Sequence, residues 1–261
     1  MGKCIYQPTG AAREYARWAC NLFNGCPHAC NYCYCKRGVL KNVLGKDVPT
    51  LKKGVGTTEE EALETFKKEI EKYTNKIKEQ QESLFFSFST DPLCEQEVEL
   101  THACVYQSIQ KQVPVQILTK AVSWSKGLAW RRLLMSNRDW ITIGTTLTGH
   151  DEEEPGAPSN EERVAMINDL AHLGYKTFVS IEPIITFPMS FQMILETCKC
   201  NREYRIGLMS GVKKEEYYNK YLCQGFIAQV LKLQKEYQFE VVWKHSIKEY
   251  YHKHFPNSNL I

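Results

Sequence analysis

Residues 24–35 read Asn24-Gly25-Cys26-Pro27-His28-Ala29-Cys30-Asn31-Tyr32-Cys33-Tyr34-Cys35. Within them Cys26, Cys30 and Cys33 are separated by a step of four residues and then a step of three. This spacing predicts a cubane iron-sulfur cluster that three thiolates hold, so that one iron stays open for chemistry. Iron-sulfur clusters usually take four cysteine ligands, and structural zinc sites use four ligands in paired short spacings. The observed spacing fits neither of these patterns well.

Other interpretations of the cysteines remain open at this stage. His28 or Cys35 could complete a zinc site, or the thiols could simply be buried. For the whole chain, the alternatives to an enzyme are an electron-transfer iron-sulfur protein and a zinc-binding interaction module. An electron carrier would not need polar strand ends, and a zinc module would not need the long series of strands and helices described below.

Composition describes an ordinary globular protein. The chain has 261 residues, of which 43% are hydrophobic and 24% charged, and this suits one α/β domain. The net charge of +3 is too balanced to predict nucleic-acid binding. No arginine-rich arm or interleaved basic and aromatic tract is present, which argues against a duplex nucleic acid as partner.

The number of cysteines and the hydropathy of the chain indicate the cellular compartment in which the protein is expected. Eleven cysteines without an apolar leader predict a reducing, cytoplasmic setting rather than a disulfide framework. No stretch approaches the ~20 consecutive apolar residues of a membrane span, so no membrane is expected as partner. The iron-sulfur cluster implies an oxygen-poor setting.

The rest of the chain alternates strands with helices. Apolar runs predict strands near residues 16–22, 84–88, 113–118, 140–147, 177–183, 204–210 and 239–245. Capping boxes at Thr58 and Ser159 begin two helices, and further helices are expected at 95–111, 125–136 and 217–237, with a short one ending near 253. Such βαβ units pack as a parallel sheet with right-handed crossovers. We therefore predict an α/β fold, a partial (β/α)6 barrel.

The barrel is expected to form a single domain over residues 1–261. Residues 1–16 are a lead-in, 17–210 form the core barrel, and 211–261 add a C-terminal helix, strand and short helix. No second domain boundary or internal repeat is evident.

Each predicted strand ends in polar side chains, which an apolar core would not need. They are Ser89, Thr90 and Asp91; Thr119 and Lys120; Thr145 and Thr146; Ser180 and Glu182; Ser210; and Lys244 and His245. Helix capping is the commoner role for Ser and Thr at such junctions. Charged groups at a barrel mouth need partners or a ligand, so Asp91, Lys120 and Glu182 point more strongly to function, although for Glu182 a structural salt bridge is an equal alternative.

The cysteine motif resembles that of the radical S-adenosylmethionine (SAM) superfamily. The resemblance implies a [4Fe-4S] cluster on Cys26, Cys30 and Cys33, SAM on the open iron, an electron from a flavodoxin or ferredoxin, and cleavage of SAM to a 5′-deoxyadenosyl radical. It also implies chemistry at the strand carboxyl ends. The cofactor-binding residues expected there are Ser89, Thr90, Asp91, Lys120, Thr145, Thr146 and Glu182.

Residues 16–186 further resemble the spore photoproduct lyase group. The matching segments are Cys30-Asn31-Tyr32-Cys33-Tyr34, Ser89-Thr90-Asp91, Leu118-Thr119-Lys120, and Glu154-Pro155-Gly156-Ala157-Pro158-Ser159 with Glu162-Arg163. Tyr32 and Tyr34 match the tyrosines that relay a hydrogen atom in that lyase, so they are candidate catalytic residues with Asp91 and Glu182; packing against the cluster is the alternative for the tyrosines. The lyase has a hydrogen-donating cysteine where this chain has Phe88. The thiols of Cys35 and Cys94 are nearby in sequence but not at that position.

The missing cysteine favours a nucleoside or nucleotide substrate over photoproduct DNA. The expected activity is that of a radical SAM lyase, such as one that releases queuine base from queuosine or its 5′-phosphate; repair of DNA photoproducts is the alternative. Lys120, Lys244 and His245 are expected to hold the phosphate, and Asp91 or Glu182 a cationic amine. Cys198, Cys200 and Cys223 hint at an auxiliary cluster, but buried or surface thiols are commoner.

Overall fold

The computed structural model describes residues 4–37, 39, 41–258 and 260–261. Its strands are β1 (Ile5–Tyr6), β2 (Trp18–Cys20), β3 (Phe23–Asn24), β4 (Thr50–Leu51), β5 (Leu84–Phe86), β6 (Val115–Thr119), β7 (Ile141–Thr146), β8 (Lys176–Ile184), β9 (Glu203–Leu208) and β10 (Glu240–Trp243). Eight of them form one sheet in the order β1-β2-β5-β6-β7-β8-β9-β10, and β3 pairs with β4 in a second, two-stranded sheet.

The main sheet is parallel from β2 to β10, and only β1, at its edge, pairs antiparallel with β2. Consecutive parallel strands need crossover connections, which the helices supply. These are α1 (Lys41–Leu44), α2 (Glu59–Glu79), α3 (Val98–Gln110), α4 (Leu128–Ser136), α5 (Asn160–His172), α6 (Phe187–Thr197), α7 (Lys214–Tyr217), α8 (Lys220–Tyr237) and α9 (His245–His254). The predicted α/β class and order of strands are confirmed.

A contact between the two ends of the sheet shows that it is curved. The Oε2 atom of Glu14, just before β2, accepts a hydrogen bond of 2.7 Å from the backbone N–H of His245, just after β10. Neighbouring strands lie about 4.8 Å apart, so a flat sheet would separate β2 from β10 by roughly 29 Å. The sheet is therefore rolled into the expected partial barrel.

Local sequence signals place the helix starts. Thr58 caps α2 by accepting from the N–H of Glu61, and Ser159 with Glu162 forms a complete capping box at α5. Phe66, Ile70 and Ile77 are buried along α2, because residues three and four apart share one helix face. The capping box predicted at Ser159 is confirmed; at α2 Thr58 caps the helix as expected, but the Glu61 carboxylate accepts from Thr57 instead of completing the box.

Other sequence expectations were incomplete. Helix α6 was not predicted, and the segment expected to be a lead-in contains β1 and a turn of 3-10 helix over Gly10–Glu14. The long loop after the cysteines contains α1 and β4. The proposed division at residues 16 and 210 stays a prediction.

The carboxyl ends of the parallel strands meet at one face of the barrel, and the cysteine loop leaves the sheet at the same face. No helix in the described ranges combines the length and the apolar character that crossing a membrane requires.

Candidate active site

The cysteine loop is fixed on both sides by backbone hydrogen bonds. The N–H of Gly25 donates to the carbonyl of Ser89 beyond β5 (3.1 Å), and the N–H of Cys26 donates to the carbonyl of Lys46 (2.9 Å). Gly25 has φ +94°, and a Cβ there would lie 2.5 Å from the carbonyl oxygen of Val48. Only glycine permits both this backbone conformation and this close approach.

A cavity of about 440 Å³ opens beside the loop at the strand ends. The predicted site residues that line it are Cys26, Cys30, Cys33, Tyr32, Tyr34, Ser89, Thr90, Asp91, Lys120, Thr146 and Glu182. Its volume is in the range typical of small-molecule sites. Residues from the loop and from successive strands thus meet at one place, as expected of a barrel mouth.

The three motif cysteines suit a cluster better than a single ion. In the described part of the chain, no three His, Cys, Asp or Glu side chains are arranged to hold one metal ion, whereas a zinc site needs its ligands to converge on one atom. A cubane binds each thiolate to a different iron, so its cysteines need only border a common space, as these three do.

Charge around the thiols also bears on ligation, which requires thiolates. Burial raises the pKa of Cys26 and of Cys30, whereas a hydrogen bond with Cys35 lowers the pKa of Cys33 to about 6. The ammonium of Lys120 favours the thiolate form of all three cysteines.

Asp91 joins the cysteine loop to the barrel. Its Oδ2 atom lies 2.6 Å from His28 Nε2 and accepts from the N–H of Lys120 at 2.6 Å. Its Oδ1 atom accepts from the Thr119 hydroxyl (2.6 Å) and from the N–H of Leu93 (3.0 Å). Burial alone would raise the pKa of Asp91, but His28 and these hydrogen bonds lower it below its usual range. Its lone pairs are largely occupied by the protein, which fits a positioning role for this carboxylate.

Ser89 and Thr90 also bond within the protein. The Ser89 hydroxyl donates to the carbonyl of Phe23 at 2.5 Å, and the Thr90 hydroxyl donates to Glu97. Thr146 lines the cavity, but Thr145 does not. The hydroxyl of Thr145 is buried and has no hydrogen-bond partner among the described residues.

Lys120, Tyr32 and Glu154 form a charged wall beside the thiols. The Tyr32 hydroxyl donates to Glu154, and Lys120 Nζ lies 3.7 Å from Glu154 Oε1 and 5.6 Å from the centroid of the Tyr32 ring. On its other side Glu154 pairs with fully buried Arg163 and accepts from the Thr148 hydroxyl at 3.0 Å. The sequence segment from Glu154 to Arg163 therefore builds a buried ion pair that supports Lys120.

The same segment clamps the cysteine loop. The N–H of Asn31 donates to the carbonyl of Glu153 (2.9 Å), and the N–H of Gly156 donates to the carbonyl of His28 (3.0 Å). A Cβ at Gly156 would lie 2.3 Å from the carbonyl oxygen of Pro27. The two loops can approach this closely only because residue 156 is glycine.

Replacing Gly156 by Ala is expected to destabilise the fold by about 1–3 kcal/mol, as overpacking does, and to lower iron incorporation. Thermal denaturation and iron content per chain measure the two effects. Gly225→Ala is the matched control, because a Cβ at this exposed position of α8 meets nothing within 4 Å and should stabilise the helix by about 0.5–1 kcal/mol. Equal stability of Gly156→Ala and wild type would disprove the close contact.

Tyr34 and Cys35 lie against the strand-end segment after β5. The Tyr34 hydroxyl donates to the carbonyl of Phe88, and the Cys35 thiol lies 3.6 Å from the same oxygen. Phe88 itself stacks on Phe85, with ring centroids 4.5 Å apart. Cys35 lines the cavity and Cys94 does not, so a thiol is present in the cavity despite the phenylalanine at position 88.

Tyr15 is a cavity residue that the sequence did not reveal. Its hydroxyl donates to Glu182 Oε2 at 2.7 Å and lies 2.7 Å from the Ser180 hydroxyl. The lead-in carries no periodicity, and Tyr15 and Ser180 are 165 residues apart in sequence. The only local indication was a single aromatic residue in a short segment of small and charged residues.

Lys244 and His245 do not reach the cavity, so the structure does not support their predicted contact with a phosphate. Lys244 is 2% exposed, and its Nζ atom lies 3.4 Å from the centroid of the Tyr15 ring. His245 is exposed at the start of α9. The residues that follow β10 lie behind the lead-in, which separates them from the cavity.

Cys198, Cys200 and Cys223 lie outside the cavity. Cys198 and Cys223 are buried, and the Cys200 thiol lies 3.3 Å from His172 Nε2. Their positions are those of ordinary buried or surface thiols.

Comparisons with known proteins agree with this geometry. No protein-family model matches the chain. An uncharacterized protein of Methanocaldococcus jannaschii is 24% identical over 219 residues, which cover 81% of this chain and 77% of that protein. A spore photoproduct lyase variant solved with bound AdoMet and dinucleoside spore photoproduct superposes with a TM-score of 0.67 at 12% identity, covering 92% of this chain and 79% of that one.

A second solved structure has a similar fold, but a smaller part of it is covered. Streptococcus suis SuiB bound to S-adenosylmethionine superposes with a TM-score of 0.59 at 9% identity, covering 86% of this chain and 49% of SuiB. At these identities the likeness establishes the architecture alone, and the chain shares the fold of these two proteins, both solved with bound S-adenosylmethionine.

Proposed function

We propose that the protein is a radical SAM lyase that acts on a nucleoside or its 5′-phosphate. The observation that carries this proposal is the meeting of Cys26, Cys30 and Cys33 around one cavity at the strand carboxyl ends. The fold shared with enzymes solved with AdoMet supports the same cofactor here. The residues fit a [4Fe-4S] cluster, which with SAM would supply a hydrogen-abstracting radical.

The protein's own part is to bind, orient and exclude water. Asp91 and the clamp around Gly156 hold the cysteine loop, and Lys120 places a positive charge beside the thiols. Lys120, Thr146 and Glu182 are the residues proposed to contact SAM or substrate, with Tyr32 and Tyr34 as candidates for hydrogen-atom relay. Ser89, Thr90 and Asp91 act in this proposal by shaping the SAM site, since their side chains bond within the protein.

For the substrate, we propose queuosine or its 5′-phosphate, with release of queuine. The mostly apolar cavity of about 440 Å³ suits a single nucleoside, and Phe88 takes the position of the photoproduct lyase cysteine. Repair of photoproducts is the second candidate, because the structural neighbours include a lyase complexed with dinucleoside spore photoproduct and Cys35 offers a thiol in the cavity. An external flavodoxin or ferredoxin is the proposed electron donor.

A substrate panel tests this proposal. Anaerobically reconstituted protein with SAM and dithionite is incubated with queuosine, its 5′-phosphate, other nucleosides and photoproduct DNA. We expect free base from the modified nucleoside or nucleotide and no repair of photoproduct. Efficient repair without base release would overturn the substrate class.

Two lysines at the cavity are better placed for a phosphate than Lys244. Lys36 and Lys46 line the cavity, and Lys36 contacts Asp47 at 2.7 Å. A substitution of Lys120 would be harder to interpret, because it would also remove the cationic neighbour of buried Glu154. Phosphate contacts with charged groups contribute about 1.5–3 kcal/mol each.

Lys46→Ala is therefore expected to weaken use of the 5′-phosphate by about tenfold and to spare the dephosphorylated substrate. Competition between the two substrates measures the ratio directly. Lys253→Ala is the control, since Lys253 pairs with Glu215 away from the cavity. Equal losses on both substrates would show that Lys46 does not hold the phosphate.

A further inference from the structure

The carboxylate of Glu182 is held in place but only partly satisfied. Tyr15 has one hydroxyl hydrogen, which it donates to Glu182 Oε2, so the Ser180 hydroxyl must be the donor to Tyr15. In the described part of the chain, Tyr15 is the only hydrogen-bond donor to Glu182. The chain Ser180 to Tyr15 to Glu182 therefore orients the carboxylate and leaves acceptor capacity toward the cavity.

The neighbouring strand leaves room for the second carboxylate oxygen. A Cβ at Gly207 of β9 would lie 2.6 Å from Glu182 Oε1. Glu182 lines the cavity with Tyr15 and Pro183, and it lies on β8, four places along the sheet from β2, which leads into the cysteine loop. The carboxylate thus faces the cavity from a strand distant from the cysteines.

Two buried cations lie over the ring of Tyr15, the residue that holds this carboxylate. Lys244 Nζ has no hydrogen-bond partner among the described residues and lies 3.4 Å from the centroid of the Tyr15 ring. The Arg205 guanidinium carbon lies 5.5 Å from the same centroid. Burial raises the pKa of Glu182 above its usual value, although the Tyr15 hydrogen bond and the charge of Lys244 act in the opposite direction. Glu182 is half-buried, and a carboxylate with spare lone pairs in such a place is stabilised when a ligand supplies donors.

We infer that Glu182 recognises the base of the substrate by accepting hydrogen bonds from it. This base presents two adjacent N–H donors, as a guanine-type (2-amino-4-oxopyrimidine) edge does. This inference rests on the proposed nucleoside substrate. The two oxygens of a carboxylate match two parallel N–H donors, as in carboxylate pairs with arginine. Guanine offers N1–H and the 2-amino group side by side.

Other bases match this carboxylate less well. Hypoxanthine keeps N1–H but lacks the amino group, adenine places an acceptor beside its amino group, and thymine flanks one N–H with two carbonyls. The cavity wall also suits a flat ring, because Phe88, Leu118, Leu208 and Met209 line it. The side chains therefore provide an apolar slot beside a carboxylate that, unlike that of Asp91, keeps spare acceptor capacity.

Binding of simple nucleotides tests the inference without turnover. Calorimetry on the anaerobically reconstituted full chain measures the binding affinities of GMP, IMP, AMP and TMP. The affinity for SAM is measured separately. We expect GMP to bind about tenfold more tightly than the others, since hydrogen bonds to a charged group are stronger than those between neutral groups. Glu182→Gln should remove the preference for GMP, Tyr15→Phe should reduce it, and the exposed-site control Glu236→Gln should keep it.

Each outcome decides the matter. Equal binding of GMP and IMP, or an unchanged GMP preference in Glu182→Gln, would overturn the inference. Loss of SAM binding with GMP binding intact would assign Glu182 to the cofactor instead and would also overturn it. Iron content and SAM cleavage of the same preparation test the proposed function separately, so a GMP preference in protein that cannot cleave SAM would refute the function and leave the base-reading site standing.

Discussion

The Cys30→Ala protein is expected to carry no iron-sulfur cluster, whereas reconstituted wild type should carry about four irons per chain. Cys26, Cys30 and Cys33 border one cavity, and loss of one thiolate leaves a cubane with only two. We expect the same result for Cys26→Ala and Cys33→Ala. Iron and sulfide analysis with the visible absorption spectrum measures the cluster, and SAM cleavage should disappear with it.

The matched control is a variant with Cys198, Cys200 and Cys223 all changed to Ser. These thiols lie outside the cavity, so iron content should equal that of wild type. A fall by half would reveal an auxiliary cluster. Full iron content and activity in Cys30→Ala would refute the assignment of the ligands.

The Arg163→Met variant is expected to lose about 3–5 kcal/mol of folding free energy, the usual effect of removing one partner of a buried ion pair. Arg163 and Glu154 are both buried, and Arg163 also donates to the carbonyl of Thr146 at 2.6 Å. Without Arg163, the Glu154 carboxylate retains only Lys120 as a cationic neighbour at 3.7 Å in the described structure. Denaturant unfolding of the anaerobic apoprotein and of the reconstituted protein measures the loss.

Arg17→Met is the control for this substitution. Arg17 pairs with Glu82 at 3.2 Å, but its side chain is 57% exposed, and surface pairs contribute about 0–1 kcal/mol. If Arg163→Met were as stable as Arg17→Met, the buried pair would not support the clamp on the cysteine loop.

The sequence was sufficient to predict the barrel and its mouth because these depend on local patterns. Capping at Thr58 and Ser159 and the apolar strand runs are short-range signals, and parallel strands bring their ends together. The glycine of the segment Glu154 to Arg163 was visible as part of a motif. Its physical role, close approach to Pro27, required the placement of a second loop.

The surroundings of Glu182 could not be predicted in the same way. Tyr15 comes from a segment without periodicity, and the side chain of Lys244, although it follows a strand end, lies over the Tyr15 ring and not in the cavity. The alternation of side chains along a strand shows which residues share a face of the sheet. It does not show that the lead-in covers one of these faces. Contacts between residues this distant in sequence depend on the whole fold.

The measurement that tests the central claim most directly is cleavage of SAM by the anaerobically reconstituted protein. With dithionite as reductant, we predict formation of 5′-deoxyadenosine and methionine in wild type and none in Cys30→Ala. A wild-type protein that carries a full cluster but forms no 5′-deoxyadenosine from SAM, with or without the candidate nucleotides, would contradict the account.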